Sequence, residues 1–232
     1  MRLIKLKAIW LPFLFFCTAL TAQQKTKNNL PIGVFDSGTG GLTVLEAMLT
    51  LDAFNNITGK PGADGMLDFD KEYFQYLADQ ANMPYGNYAA ENKTKLLQEH
   101  VVKNMDFLLK NRYDINWMQQ TSPKEKQSVK MLVLACNTAT AFALEEVKQF
   151  VQDNGTKAPV VGVINAGVKA ALAYQSTHEK GAIGVFATAG TVASDGYPKS
   201  IRSLAASMQM AAPVIVSQGG FEPPSPVYST GA

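Results

Sequence analysis

Residues Met131 to Ala141 read MLVLACNTATA, and this stretch decides the fold. Met131 to Ala135 form a short unbroken apolar run, the pattern of a strand buried on both faces in a parallel sheet. The run stops at Cys136, Asn137 and Thr138. A helical spacing then begins, with Ala141, Leu144, Val147 and Val151 three or four residues apart. A strand that turns directly into a helix places its last residues at the carboxyl edge of the sheet, where open α/β folds bind ligands. Cys136 there lies by the positive end of a helix, which favours the thiolate and predicts a depressed thiol pKa. A second reading is equally compatible with the stretch alone. Cys136 is then a small buried hydrophobe, and Asn137 or Thr138 only caps the helix.

The chain on either side repeats the alternation. LPIGVFDSGTGGLTVLEAML, from Leu30 to Leu49, predicts a strand over Ile32 to Phe35, a tight loop over Asp36 to Gly41, and a helix from Leu42. The loop glycines allow close backbone approach, and the helix start offers N–H groups to an anion. Asp36 ends its strand and so falls on the same sheet edge as Cys136 if the two strands are neighbours. A dinucleotide fingerprint fails, because Thr43 stands where the third glycine belongs. Phosphate or nucleotide binding is weaker still without a lysine in the loop.

Asn55 to Asp70 is loop by composition, and Tyr73 to Leu77 a strand. Met83-Pro84-Tyr85-Gly86 is a turn able to present backbone amides and a phenol. Asn92 to Lys110 predicts an amphipathic helix with Leu96, His100, Met105 and Leu109 among its positions. Without a second His or Cys at metal spacing, His100 reads as a surface or satisfied core residue, and no metal site is expected. Asn111 to Lys130 reads as a polar surface insertion. Further on, strands are expected at Val160 to Ile164, Ile183 to Ala187 and Pro213 to Ser217, and helices at Ala166 to Tyr174 and Val192 to Ala206. The fold class is therefore α/β with mostly parallel sheets.

Composition narrows the function. With 232 residues, 47% apolar content and a formal charge of +2, the chain can bury a core and gives no reason to invoke nucleic acid. Residues 1–22 have the layout of a signal peptide: Arg2, Lys5 and Lys7, an apolar run from Ala8 to Leu20, then Thr21 and Ala22. The run is too short for a stable membrane span after cleavage. Phe16 sits where a lipoprotein signal at Cys17 would want a small residue. Cleavage after Ala22 leaves 18 Lys+Arg against 19 Asp+Glu, and Cys136 without a partner cysteine. The expected layout is signal peptide 1–22, linker 23–29, first lobe 30–152, partial second lobe 153–217 and disordered tail 218–232. Export to the periplasm follows, or a cytoplasmic location if the N-terminus is not a working signal.

Five segments, DSGTGG at 36–41, MPYG at 83–86, ACNTATA at 135–141, VVGVI at 160–164 and IGVFATAGTVASDGY at 183–197, together resemble glutamate racemase, a family of cofactor-independent aspartate/glutamate racemases. The resemblance spans roughly Pro31 to Ser207. It implies two α/β lobes with the site between them, no cofactor, and interconversion of L- and D-glutamate or aspartate by cysteine bases on opposite faces of the α-carbon. Cys136 matches one base and Asp36 the carboxylate that assists it. Ser37, Tyr85, Gly86, Asn137 and Thr138 match residues that hold the substrate, and Thr188 and Thr191 a turn beside it. The implied partner is a small acidic amino acid, and a homodimer is compatible. The family's second cysteine lies in a Gly-Cys-Thr-His segment that these 232 residues lack, so a C-terminally incomplete second lobe is expected. The family's usual role, supplying D-glutamate for peptidoglycan, is cytoplasmic, at odds with export. An exported, non-catalytic binding protein for acidic amino acids is the alternative.

Overall fold

The computed structural model describes residues 29–113, 122–178 and 181–220; residues 1–28, the expected signal and most of the linker, lie outside them. The elements run β1 (Ile32–Asp36), α1 (Gly41–Leu49), β2 (Phe74–Ala78), α2 (Gly86–Ala90), α3 (Thr94–Leu109), β3 (Arg112–Tyr113), β4 (Lys124–Glu125), β5 (Met131–Leu134) and α4 (Asn137–Asp153). Then come β6 (Val160–Gly162), α5 (Val163–Gln175), β7 (Ala182–Thr188), α6 (Ala189–Ala193), α7 (Gly196–Ser207) and β8 (Val214–Gly220).

Four parallel strands make the main sheet in the order β2-β1-β5-β6. Both faces are covered, which is why its strands read as apolar runs. Ile32, Val34, Val133 and Ala135 pack on one side with Val44, Leu45 and Met48 of α1. Phe35, Leu132 and Leu134 pack on the other with Leu97, Val101, Met105 and Leu108 of α3 and Ala139, Ala143, Val147 and Val151 of α4. Two α3 positions are each one residue off the expected spacing: Leu97 and Leu108 are the buried residues, while Leu96 is 41% exposed and Leu109 only half-buried. In α4, Val147 and Val151 face the core as expected, but Ala141 instead packs against the second unit.

That second unit holds two parallel strands, β7 and β8, backed by α5 and α7 around Ile164, Val168, Leu172, Val185, Ile201 and Ala205. Ile183, Val185 and Ile215 face these helices. Phe186, Val214 and Val216 on the other face are 79%, 65% and 58% exposed, an unusual state for a parallel sheet. Among the described residues, no helix is long and apolar enough to cross a membrane.

Several sequence-drawn boundaries shift. The main sheet reaches Gly162 through β6, past the division at 152/153. The strand expected over Val160 to Ile164 turns helical at Val163. The single helix expected over Val192 to Ala206 is two, broken at Asp195, whose φ of 55° is left-handed and cannot continue an α-helix. Gln218–Gly220, read as tail, belong to β8, while 221–232 lie outside the described residues. The 55–70 stretch is a loop tied to itself and to the residues before it: Asp52 and Asp64 accept backbone N–H bonds from within it, and Asp68 accepts from Ala53 N and Phe54 N. Within the insertion at 111–130, β3 and β4 form a short antiparallel pair.

Candidate functional site

The chain leaves β1 for β2 on one side, then crosses to β5 on the other. The two loops that follow β1 and β5 therefore diverge, and this reversal of strand order is where open α/β sheets bind ligands. Asp36 and Cys136 stand at its two lips. Ala135 N donates to Phe35 O at 2.7 Å, so the strands remain paired up to the site.

Asp36 is buried, and its carboxylate accepts from Ser37 N at 2.9 Å and Gly41 N at 2.7 Å. The anion expected at the start of α1 is thus the protein's own side chain, which closes the DSGTGG loop on itself. Gly41 has to be glycine, since a Cβ there would lie 2.7 Å from Asp36 Cβ and 3.0 Å from Ala135 Cβ. The group that touches the thiol is Ser37, with Oγ 3.4 Å from Cys136 Sγ.

Cys136 itself, rather than Asn137 or Thr138, is the N-cap of α4, and its Sγ accepts from Ala139 N at 3.4 Å. These contacts favour the thiolate, but they do not win. Burial pushes the thiol pKa up, with the Asp36 charge adding to the rise; the bonds from Ser37 and Ala139 only oppose it. The depressed pKa read from the helix terminus is therefore reversed: at 7% exposure, desolvation outweighs a cap.

Tyr85 also differs from expectation. Its phenol is turned into the protein, donating to buried Asp79 at 2.7 Å, and is not presented to a ligand. Asp79 accepts as well from Asn82 and Asn104. Burial and the Asp79 contact push the Tyr85 pKa far up, so this phenol stays a donor.

The remaining predicted residues join the two units. Thr138 and Thr191 hydroxyls lie 3.0 Å apart, and Thr188 Oγ1 donates to Thr191 Oγ1 at 3.0 Å. Asn137 Oδ1 accepts from Tyr197 at 2.7 Å. Gly86 meets the second unit through backbone: a Cβ on Gly190 would lie 2.5 Å from Gly86 O. Sequence reasoning missed Tyr76, Asp79 and Tyr197. Tyr76 lay within the strand expected over Tyr73 to Leu77 and Tyr197 closed the last quoted segment, but neither of these nor Asp79 carried a signal of its partner.

A cavity of about 740 Å³ opens at the other end of the sheet, lined by Leu30, Leu109, Val129, Met131 and Pro159. It is remote from Cys136. Among the described residues, no group of His, Cys, Asp or Glu is arranged to hold a metal ion.

The topology and side chains define an open α/β protein with a thiol at its switch point and a second α/β unit closed over it. No protein-family model matches the chain, but individual proteins do. It is 36% identical over 183 residues to a glutamate racemase of Enterococcus faecalis, an alignment covering 79% of this chain and 50% of the relative. A glutamate racemase structure from Bacillus anthracis superposes with a TM-score of 0.56 at 28% identity, over 83% of this chain and 53% of that one. One from Francisella tularensis, in complex with D-glutamate, gives 0.55 at 26%, over 82% and 52%. The chain is similar to glutamate racemases over about three quarters of its own length and spans about half the length of the curated relatives it matches.

Proposed function

We propose that the switch point takes a small acidic amino acid, glutamate first, and that Cys136 moves the proton on its α-carbon without a cofactor. The observation that carries this reading is the thiol at the switch point, held by Ser37 and Ala139, in a fold shared with a racemase solved with D-glutamate.

In the free protein Cys136 is a thiol, since burial raises its pKa. A substrate α-ammonium brings a cation to a site where the side-chain charge acting on the thiol is the Asp36 carboxylate. The ammonium's positive charge lowers the thiol's pKa and favours the thiolate a base must be. The thiolate takes the α-proton and becomes a thiol, and the electron pair passes from the α-carbon into the carboxylate. Returning the proton from the same sulfur restores the starting configuration; inversion needs a donor on the opposite face. The cysteines of the 232 residues are Cys17 and Cys136, and Cys17 lies in the segment read as a signal. The 232-residue chain should therefore exchange the α-proton more readily than it inverts the centre. Thr138, Thr188 and Thr191, which bond one another in the structure, are the hydroxyls available to a carboxylate. Export through residues 1–22 is part of the proposal.

A second reading, a non-catalytic binding protein for acidic amino acids, is favoured by one observation: Cys136 is buried, which disfavours its thiolate. Both readings require the ligand to bind. Ligand at about a hundred times its dissociation constant stabilises the folded state by about 2.7 kcal/mol. L- or D-glutamate should then raise the melting temperature and glutamine should not. No shift with any acidic amino acid contradicts both readings.

A further inference from the structure

We propose that Tyr76 is a positioning residue for Cys136: its hydroxyl, donated to Gly38 O, fixes the loop from Asp36 to Gly41 so that Ser37 Oγ stays on the thiol. The bond is 2.9 Å long. Tyr76 is in register with Val34 on the neighbouring strand and shares its face; Asp36, two residues on, points the same way. The hydroxyl therefore arrives beneath the loop as it leaves the strand. There is little slack: a Cβ on Gly41 would come within 3.1 Å of the Tyr76 oxygen. On its far side the loop meets the Met83 turn, where a Cβ on Gly38 would lie 2.7 Å from Met83 Sδ. The loop is held between strand β2 and the turn that follows it, and the hydroxyl is the directional member of that grip.

The charge balance at the sulfur gives this grip its chemical effect. The titratable group that acts on the thiol is Asp36 from β1, while Tyr76 from β2 and Tyr85 from the turn before α2 face it and have their own pKa values raised by it. Each is neutral or anionic, so none favours a thiolate. The groups that do are hydrogen-bond donors, Ser37 and Ala139. Ala139 N is fixed by the helix. Ser37 sits on a loop that Tyr76 and Asp36 fix, so losing the Tyr76 hydroxyl loosens one of the contacts that make the thiolate accessible. The competing explanation is a merely structural role, in which a partly buried phenol bonds the nearest carbonyl and nothing downstream depends on it.

The inference rests on Cys136 being the reacting thiol, and its test reads that thiol directly, without turnover. In Tyr76→Phe the ring remains and the hydroxyl is gone; circular dichroism and a melt establish that the variant is folded. The rate of iodoacetamide alkylation of Cys136 against pH should show its midpoint moved upward, with alkylation near the wild-type midpoint slowed about three- to tenfold, the range of one ordinary hydrogen bond loosened rather than a charged one removed. Ser37→Ala should give a similar shift. Because both act through one contact, the double variant should shift little further than the larger single. An unmoved midpoint in Tyr76→Phe, or shifts that add in the double variant, would overturn the assignment. Either outcome leaves the glutamate-induced melting shift standing, so the two proposals fail separately.

Discussion

Gly190 is where helix propensity and packing make opposite predictions. It lies in α6, and glycine in a helix is less stable than alanine by about 0.8–1.0 kcal/mol. Propensity alone thus predicts that Gly190→Ala stabilises the protein. The structure predicts the reverse. An added Cβ would lie 2.5 Å from Gly86 O and 3.2 Å from Gly86 C and Cα. These atoms are backbone, so no rotamer change relieves the clash, and α2 and α6 must separate. Overpacking of this kind costs about 1–3 kcal/mol. It also pulls Thr191 away from Thr138, a buried pair 3.0 Å apart, which adds about 1 kcal/mol. The net expectation is destabilisation by about 1–3 kcal/mol after the helix gain is subtracted. Gly167 in α5 is the internal control, because nothing lies within 4 Å of its would-be Cβ. Gly167→Ala should stabilise by about 0.4–1 kcal/mol. Urea unfolding of both variants against the parent gives the two signs directly. A neutral or stabilising Gly190→Ala would refute the close approach of the two units at Gly86.

The thiol predicts an alkaline limb in stability. A pKa raised by folding contributes stability that is whole below the ordinary thiol value, about 8.5, and is lost as pH rises through the folded value. Cys136→Ser should therefore flatten the decline of melting temperature that begins near pH 8.5, and an unchanged profile would mean the thiol is not desolvated. Asp36→Asn keeps an acceptor for one of the two loop N–H groups but puts an amide NH₂ against the other. It should cost about 1–3 kcal/mol, and denaturation at or above parent stability would show that the loop does not depend on the carboxylate.

Most of the main sheet was legible because a strand buried on both faces leaves a short apolar run. Met131 to Ala135 is such a run, and its abrupt end at Cys136 marked the sheet edge correctly. Val160 to Ile164 looked the same, yet turned helical at Val163, since a short apolar run carries no period to separate strand from helix. The break at Asp195 was invisible because it depends on a single left-handed residue. The positions of candidate residues were legible where the backbone decides them, as for Asp36, Ser37 and Cys136 at the sheet edge. They were misread where tertiary contacts decide, as for Tyr85, whose phenol found buried Asp79. The thiol's pKa was read with the wrong sign for the same reason: a helix terminus is visible in sequence and the depth of burial is not.

The central claim is that Cys136 moves the α-proton of an acidic amino acid. The direct measurement is incubation of the purified 232-residue chain with L-glutamate in D₂O, followed by mass spectrometry and chiral chromatography, with Cys136→Ser alongside. The account predicts deuterium at the α-carbon that depends on Cys136, with retained configuration predominating over inversion. Losing a positioned acid or base typically costs about 10²–10⁴ in rate, so Cys136→Ser should fall near background. Rapid inversion would mean that another group serves the opposite face. Exchange that survives in Cys136→Ser, or no exchange at all while glutamate still raises the melting temperature, would contradict the claim.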